Sequence, residues 1–242
     1  MAAPASIPPL LAPWGERAGD IQARLGDFIT LLMAGNQLCN LTGDPSPREL
    51  WSRHVEDALH NAAIVEAAGG RPGAETRILD VGAGGGLPGL IWAILWPEAA
   101  VDLIEATEKK VHFMNWAADR LGLTRTRAIH GRAEAFGVDP AYRERYDWVS
   151  ARGVAALQTL AEWTMPFARL GGRVFAIKGE EIEAELKAAR RAFRVLGATE
   201  PPRVVAYARA DGGRCCVLEF IKREWTPSPY PRRADVAARI PL

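Results

Sequence analysis

The sequence is short of cysteine, of net charge and of long apolar runs, and each shortage closes off a class of protein. Its three cysteines, Cys39, Cys215 and Cys216, are odd in number and lack metal-ligand spacing. They exclude a disulfide framework and a metal centre built on thiolates, and they suit a reducing, cytoplasmic compartment. A net charge of +1 over 242 residues excludes a polycation, so a nucleic-acid partner requires a local basic face. The opening stretch MAAPASIPPLLAPWGERAGD lacks both a basic start and a long apolar core. It reads as a Pro-rich, poorly ordered arm over residues 1–15, neither signal peptide nor membrane anchor, and no membrane partner is expected. There are no internal repeats. What remains, 48% hydrophobic and 24% charged, is ordinary for a globular chain long enough for one large domain with an extension.

The pattern along the chain changes once. Ile21, Leu25, Phe28 and Leu32 recur at helical spacing, so 21–38 reads as a helix. Asn40-Leu41-Thr42 and Gly43-Asp44-Pro45 break it. Ser46-Pro47-Arg48-Glu49 starts another helix, with Ser as N-cap, Pro at the first position and Glu at the third; it runs to about Ala68 and ends at Gly69-Gly70. Residues 16–72 therefore read as an N-terminal helical extension. After Pro72-Gly73 strands and helices alternate. Strands fall at 77–81, 101–105, 126–130, 146–150 and 173–178; helices fall at 88–96, 108–121, 154–170 and 180–196. Gly171-Gly172 is read as the stop of the third helix. Such alternation implies a doubly wound, mostly parallel α/β sheet over residues 73–242. Two runs, 203–209 and 214–222, flank Asp211-Gly212-Gly213 and read as a closing antiparallel hairpin. The tail from Trp225 reads as irregular.

The chemistry begins at ILDVGAGGGLPG, residues 78–89. A strand entering a glycine-rich turn and then a helix cradles a nucleotide. Gly82 and Gly84 allow close backbone approach and offer N–H donors. The next strand ends in Glu105, 19 residues after Gly86, where a carboxylate can accept both ribose hydroxyls. The dinucleotide fingerprint needs a third glycine where this chain has Leu87. Asp80, two residues before the first glycine, would repel a pyrophosphate. Read otherwise, Asp80 simply hydrogen-bonds the N–H groups of its own loop. Spacing and charge point to S-adenosyl-L-methionine, which carries a sulfonium and no phosphate, rather than a nicotinamide dinucleotide. Gly131-Arg132-Ala133-Glu134 follows the third strand, where a loop flanks the adenine.

Laid in order, these segments resemble the bacterial 16S ribosomal RNA guanine-N7 methyltransferases, the small-subunit methyltransferase G family. The matching stretches are Asn40-Leu41-Thr42, Arg53-His54 with Asp57, DVGAGGGLPG at 80–89, Arg132-Ala133-Glu134, SARGVA at 150–155, FAIKG at 175–179 and the terminal YPRRADVAARIPL. The glycine loop is generic to methyltransferases; its LPG ending, SARGVA and the YPRR tail are more specific. HVEDA at 54–58 and EATEKK at 105–110 depart from the usual pattern without removing a charged site residue. The resemblance implies a Rossmann-like class I methyltransferase fold. It implies an acceptor, N7 of the guanine at position 527 in the 530 loop, in 16S RNA within the small subunit or an assembly intermediate. A monomer is expected, although no feature of the sequence decides the oligomeric state.

Guanine N7 carries a lone pair and no proton, so its methylation needs no general base. In keeping with this, the chain lacks an Asn/Asp-Pro-Pro-Tyr segment and a Pro-Cys nucleophile. Cationic groups are expected to hold the acceptor. The resemblance raises Arg152, after the fourth strand, and Lys178, at the end of the fifth, to catalytic positions. Read alone, Arg152 is an ion-pair partner of Glu134 or Asp147, and Lys178 a solvated strand-end lysine. The expected cofactor contacts are Asp80, Gly82, Gly84, Leu87, Glu105, Ala133, Glu134 and Arg152. The expected RNA contacts are Asn40, His54, Arg214, Arg232 and Arg233. Residues 203–242 hold eight basic against four acidic residues, net +4, with Trp225 and Tyr230 able to stack on bases. The same stretch also fits an ordinary solvated face. Arg53 and Asp57 read as a surface pair, and the Glu-rich start of the 180–196 helix as dipole-matched surface. A nicotinamide oxidoreductase and a non-catalytic RNA-binding factor are the competing readings; Leu87 and Asp80 oppose the first, and the presence of Gly82, Gly84, Glu105 and Arg152 together opposes the second.

Overall fold

The computed structural model describes residues 9–43, 46–179, 181–209 and 211–242. The first eight residues of the expected arm, the Asp44-Pro45 turn and the expected helix start at Glu180 lie outside them. The apolar spacing of Ile21, Leu25, Phe28 and Leu32 produces α1 (Ala18–Asn36), with all four side chains buried. Ser46 caps the next helix as its sequence demands. Its Oγ accepts from the Glu49 N–H at 3.3 Å, and Pro47 opens the helix where no N–H is needed. A cap of this kind stabilises by about 1 kcal/mol. The helix is not regular throughout: α2 (Pro47–Leu50) passes through a π turn at Trp51–Val55 into α3 (Glu56–Gly69). Such π turns are rare and concentrate at functional sites.

The arm requires a correction. Pro9–Arg17 forms 3₁₀ turns broken by a kink at Gly15, and its Leu11 and Trp14 are buried. Burying each large apolar side chain gains about 1.5–3 kcal/mol, which offsets the ordering of a short segment.

Seven strands follow: β1 (Arg77–Val81), β2 (Ala100–Glu105), β3 (Thr126–His130), β4 (Tyr146–Arg152), β5 (Ala168–Gly179), β6 (Arg203–Ala208) and β7 (Arg214–Ile221). Their order is β3-β2-β1-β4-β5-β7-β6. The first five run parallel; β7 is antiparallel to β5 and β6 to β7. The expected mixed sheet with an antiparallel end is what forms. The connecting helices are α4 (Gly89–Leu95), α5 (Glu108–Arg120), α6 (Ala133–Phe136), α7 (Leu157–Thr164) and α8 (Glu183–Val195). One apolar cluster joins Leu25, Phe28 and Leu59 of the amino-terminal helices to Trp92, Trp96, Trp148 and Phe175. Trp96, Trp148 and Phe175 meet edge to face at 5.5 Å, contacts worth about 0.5–1.5 kcal/mol each beyond area. The helical extension therefore shares its core with one face of the sheet. A second cluster, including Leu157, Leu160, Phe193 and Phe220, covers the other face.

Two expected elements differ. The helix expected over 154–170 stops at Thr164, because Pro166 has no N–H to continue it; Met165–Phe167 is a 3₁₀ turn. β5 then starts five residues earlier than expected, carried through Gly171-Gly172 by pairing of Ala168 with Tyr146 and by the Lys222 N–H donating to Gly172 O at 2.9 Å. The tail is not wholly irregular: it contains α9 (Ala234–Arg239) and is strapped down. The Arg143 guanidinium donates to the carbonyls of Gly137, Thr226, Pro227 and Tyr230. Fully buried Lys222 donates to Met165 O at 2.8 Å and to Thr226 Oγ1, and burial pulls its ammonium down to about 8. Among the described residues, no helix is long and apolar enough to cross a membrane.

Candidate active site

The carboxyl ends of β1, β2, β3 and β4 border a cleft of about 200 Å³. Gly82, Glu105, Ala133, Glu134 and Arg152, all expected at the site, line it together with Arg132, Val154 and Trp163. Gly82 has φ +70°, and a Cβ there would lie 2.9 Å from Val154 Cγ2. Only glycine brings the main chain this close to the cleft wall.

The loop does not offer its N–H groups as expected. Those of Gly82 and Ala83 donate to Ile104 O at 2.9 and 3.1 Å. Those of Gly86 and Leu87 donate to Ala83 O. Gly84 donates to Glu105 Oε2 at 3.1 Å, and Gly89 to Asp80 Oδ2 at 3.0 Å. A phosphate-binding loop aims such donors at its ligand; this one satisfies them within the protein. Asp80, Gly84 and Leu87 are accordingly absent from the cleft wall, and Leu87 packs into the apolar cluster. Asp80 follows its blander reading. Its Oδ1 accepts from Ser150 Oγ at 2.8 Å while Oδ2 caps the start of α4. Burial raises this carboxyl to about 7, against the lowering effect of those hydrogen bonds and of Arg152. Glu105 holds the Gly84 and Thr107 N–H groups, one on each oxygen, and faces the cleft with its remaining lone pairs.

Arg152 reaches from the cleft wall to residues of the amino-terminal helices, none of which lines the cleft itself. Arg152 does not pair with Glu134 or Asp147. Its Nε forms an ion pair with Asp57 Oδ2 at 2.9 Å, NH1 and NH2 each lie 3.3 Å from His54 Nδ1, and NH2 donates to Arg53 O at 3.2 Å. Asp57 is 1% exposed and also accepts from Tyr207 Oη at 2.7 Å. Burial and the Asp57 charge hold the Tyr207 phenol above its ordinary range, so it donates and does not ionise. Arg53 is paired not with Asp57 but with Asp211, at 3.5 Å, in the β6–β7 turn. The Arg209 hydrogen bond, ahead of the Gly213 N–H, holds Asp211 below the usual carboxylate range.

Lys178 lies outside the cleft wall. Its Nζ donates to Ala155 O at 2.8 Å and Glu185 Oε1 at 2.9 Å, and Glu185 also accepts the Leu157 N–H. Glu185 is thus more than surface; with Lys178 it braces the loop that follows Arg152. Asn40 lies in a larger, shallower hollow of about 390 Å³ on the 36–43 turn. That turn packs behind the glycine loop, since a Cβ on Gly85 would lie 3.4 Å from Leu41 Cβ. Arg214 and Arg233 are exposed, Arg233 beside Asp235. Arg232 is not offered to a phosphate: its Nε and backbone N–H donate to Glu162 Oε2 at 2.9 and 3.1 Å, and Glu162 is fully buried. Trp225 is 60% exposed.

Sequence reasoning does not mark Asp57, Tyr207 and Trp163 as site residues. Trp163 faces the cleft from α7, and its Nε1 is buried without a partner among the described residues. Its helical position offers no signal distinguishing it from core.

A mostly parallel sheet with an antiparallel end, and an acid-braced glycine loop at its carboxyl edge, define a Rossmann-like class I methyltransferase. Solved structures agree on the fold. A point mutant of the 16S rRNA (adenine(1408)-N(1))-methyltransferase from Catenulisporales acidiphilia aligns with TM-score 0.53 at 16% identity, over 72% of this chain and 93% of that one. TrmN from Thermus thermophilus aligns with TM-score 0.52 at 22% identity, over 71% and 53%. Sequence relatives narrow the class. A family model described as rRNA small subunit methyltransferase G matches residues 21–209. The ribosomal RNA small subunit methyltransferases G of Rubrobacter xylanophilus and Symbiobacterium thermophilum are 40% and 39% identical, over 96% and 88% of this chain and 88% and 87% of theirs. The chain belongs to the rRNA small subunit methyltransferase G family, and it is an rRNA methyltransferase.

Proposed function

We propose that the protein methylates N7 of the guanine at position 527 of 16S ribosomal RNA, in the 530 loop, with S-adenosyl-L-methionine as methyl donor. The observation that carries the donor is the inward-facing loop. With the N–H groups of Gly82, Ala83, Gly84, Gly86, Leu87 and Gly89 spent on Ile104, Ala83, Asp80 and Glu105, it has little to offer a diphosphate. The carboxylates of Glu105 and Glu134 in the wall suit a cationic ligand. Glu105 would take the ribose hydroxyls, Ala133 and Glu134 would flank the adenine, and Gly82 would admit the donor's close approach. Bound there, S-adenosylmethionine supplies a methyl group on a positively charged sulfur.

The acceptor nitrogen brings a lone pair and no proton, so the chain's task is placement. Arg152, in the cleft wall, would meet a guanine edge with His54 beside it, and Lys178 with Glu185 braces the loop that follows Arg152. Orientation of this kind is worth about 7–11 kcal/mol of barrier. Arg214 and Arg233, both exposed, would neutralise phosphates, and Asn40 and His54 would close over the base. The acceptor is the RNA in the small subunit or its assembly intermediate, met in the cytosol by a monomer. Two measurements test this. Mass mapping of 16S RNA from cells with and without the protein should lose one methyl at that guanine. Calorimetry should detect S-adenosylmethionine and no nicotinamide dinucleotide; the reverse result sinks the reading.

A further inference from the structure

We infer that Tyr207 is a positioning residue for methyl transfer, fixing the plane of the Arg152 guanidinium at the cleft through Asp57. The inference rests on the reading of the cleft given above. Asp57 is a carboxylate removed from water, and such a group persists only when its oxygens are met by donors. Both oxygens are met: Tyr207 Oη–H donates to Oδ1 at 2.7 Å, and the Arg152 guanidinium sits against Oδ2 as an ion pair, with Nε at 2.9 Å. A carboxylate is planar, so anchoring one oxygen sets the direction of the other. Tyr207 is itself held: its ring stacks on His60 of α3, centroids 5.6 Å apart and planes 27° from parallel. Its position on β6 is set by pairing with Cys215 of β7. Arg152 is thus gripped by Asp57 on one edge and by His54 Nδ1 and Arg53 O on the others.

This arrangement bears on chemistry because Arg152 lines the cleft and Tyr207 does not. A reaction that needs no base depends on alignment, and a misplacement of about 1 Å can cost about a hundredfold. Tyr207 touches neither ligand, so its effect must pass through the Asp57–Arg152 pair. A hydroxyl that merely pinned the β6–β7 hairpin to α3 would act on stability, whatever occupied position 152.

The test is a double-mutant cycle of Tyr207→Phe with Arg152→Lys. It uses the full chain, tritiated S-adenosylmethionine, and small ribosomal subunits from cells lacking the protein. Assays run well below the lowest melting midpoint of the four proteins, so loss of fold does not enter. Tyr207→Phe keeps the ring on His60. It is expected to lower kcat about tenfold while KM for the subunit and Kd for S-adenosylmethionine change less than about threefold. In the Arg152→Lys background the same change should cost less than about twofold. Wild-type kcat in Tyr207→Phe, or an equal loss in both backgrounds, overturns the inference. A wild-type enzyme that binds no S-adenosylmethionine and methylates no subunit overturns instead the reading of the cleft.

Discussion

Two arginine-rich regions of this molecule do opposite work. Around the cleft, Arg53, Arg152 and Arg209 reach side-chain carboxylates, Asp211 and Asp57, contributed by a helix and a hairpin turn. In the strap, Arg143 gathers four main-chain carbonyls and Arg232 neutralises a carboxylate with no exposure at all. The first group includes Arg152 in the cleft wall; the second is consumed by the fold. Arg232 and its neighbour Arg233 show the divide at its sharpest, with side-chain exposures of 22% and 85%. Positive charge in a sequence says nothing of which duty it has until the acceptors are known.

The largest expected effect tests the strap. Arg232→Ala leaves Glu162 buried and unpaired, so urea unfolding should show a loss of about 3–5 kcal/mol, with the RNA-binding salt slope of the folded protein unchanged. A stable variant would return Arg232 to the RNA face. Next comes the cleft. Glu105→Ala should raise the calorimetric Kd for S-adenosylmethionine about 10- to 100-fold; an unchanged Kd would remove Glu105 from the ribose. Smaller is the contribution of single exposed arginines. Arg214→Ala and Arg233→Ala should each reduce the salt slope of RNA binding by about one at an unaltered melting point. A null result at either places that side chain outside the footprint.

The last effect is read only as a change with pH, and concerns Asp80. Its carboxyl titrates at 3.8 when unfolded and about 7 when folded. The folded state therefore holds this proton more tightly between those values, and the group's contribution to stability falls as pH rises from about 4 to about 7. Asp80→Asn keeps an acceptor for the Gly89 N–H and a donor for Ser150 Oγ, without a buried charge. The melting point of the variant should gain on the wild type as pH rises through that window. A difference between the two that does not vary with pH would contradict it.

Local signals carried much of this structure. Strands alternating with amphipathic helices, Ser46 before Pro47, and glycines after an apolar run were all readable, because each is decided within a few residues. Gly82 and Glu105 were likewise legible from spacing, and both line the cleft. What was illegible depends on partners far along the chain. Tyr207 meets Asp57 across 150 positions, and Arg232 meets Glu162 across 70. The early start of β5 is set by Tyr146 and Lys222 rather than by its own residues. The inward turn of the loop's N–H groups required knowing where Ile104 O lies. Composition could count the arginines; only packing could assign them.

The order of the last two strands has a consequence during synthesis. β6 pairs only with β7, which lies between it and β5, so β6 is made before it has anything to join. A nascent chain grows from its amino terminus. The residues that line the cleft, from Val81 to Trp163, are therefore all made before the tyrosine on β6 has a strand to join.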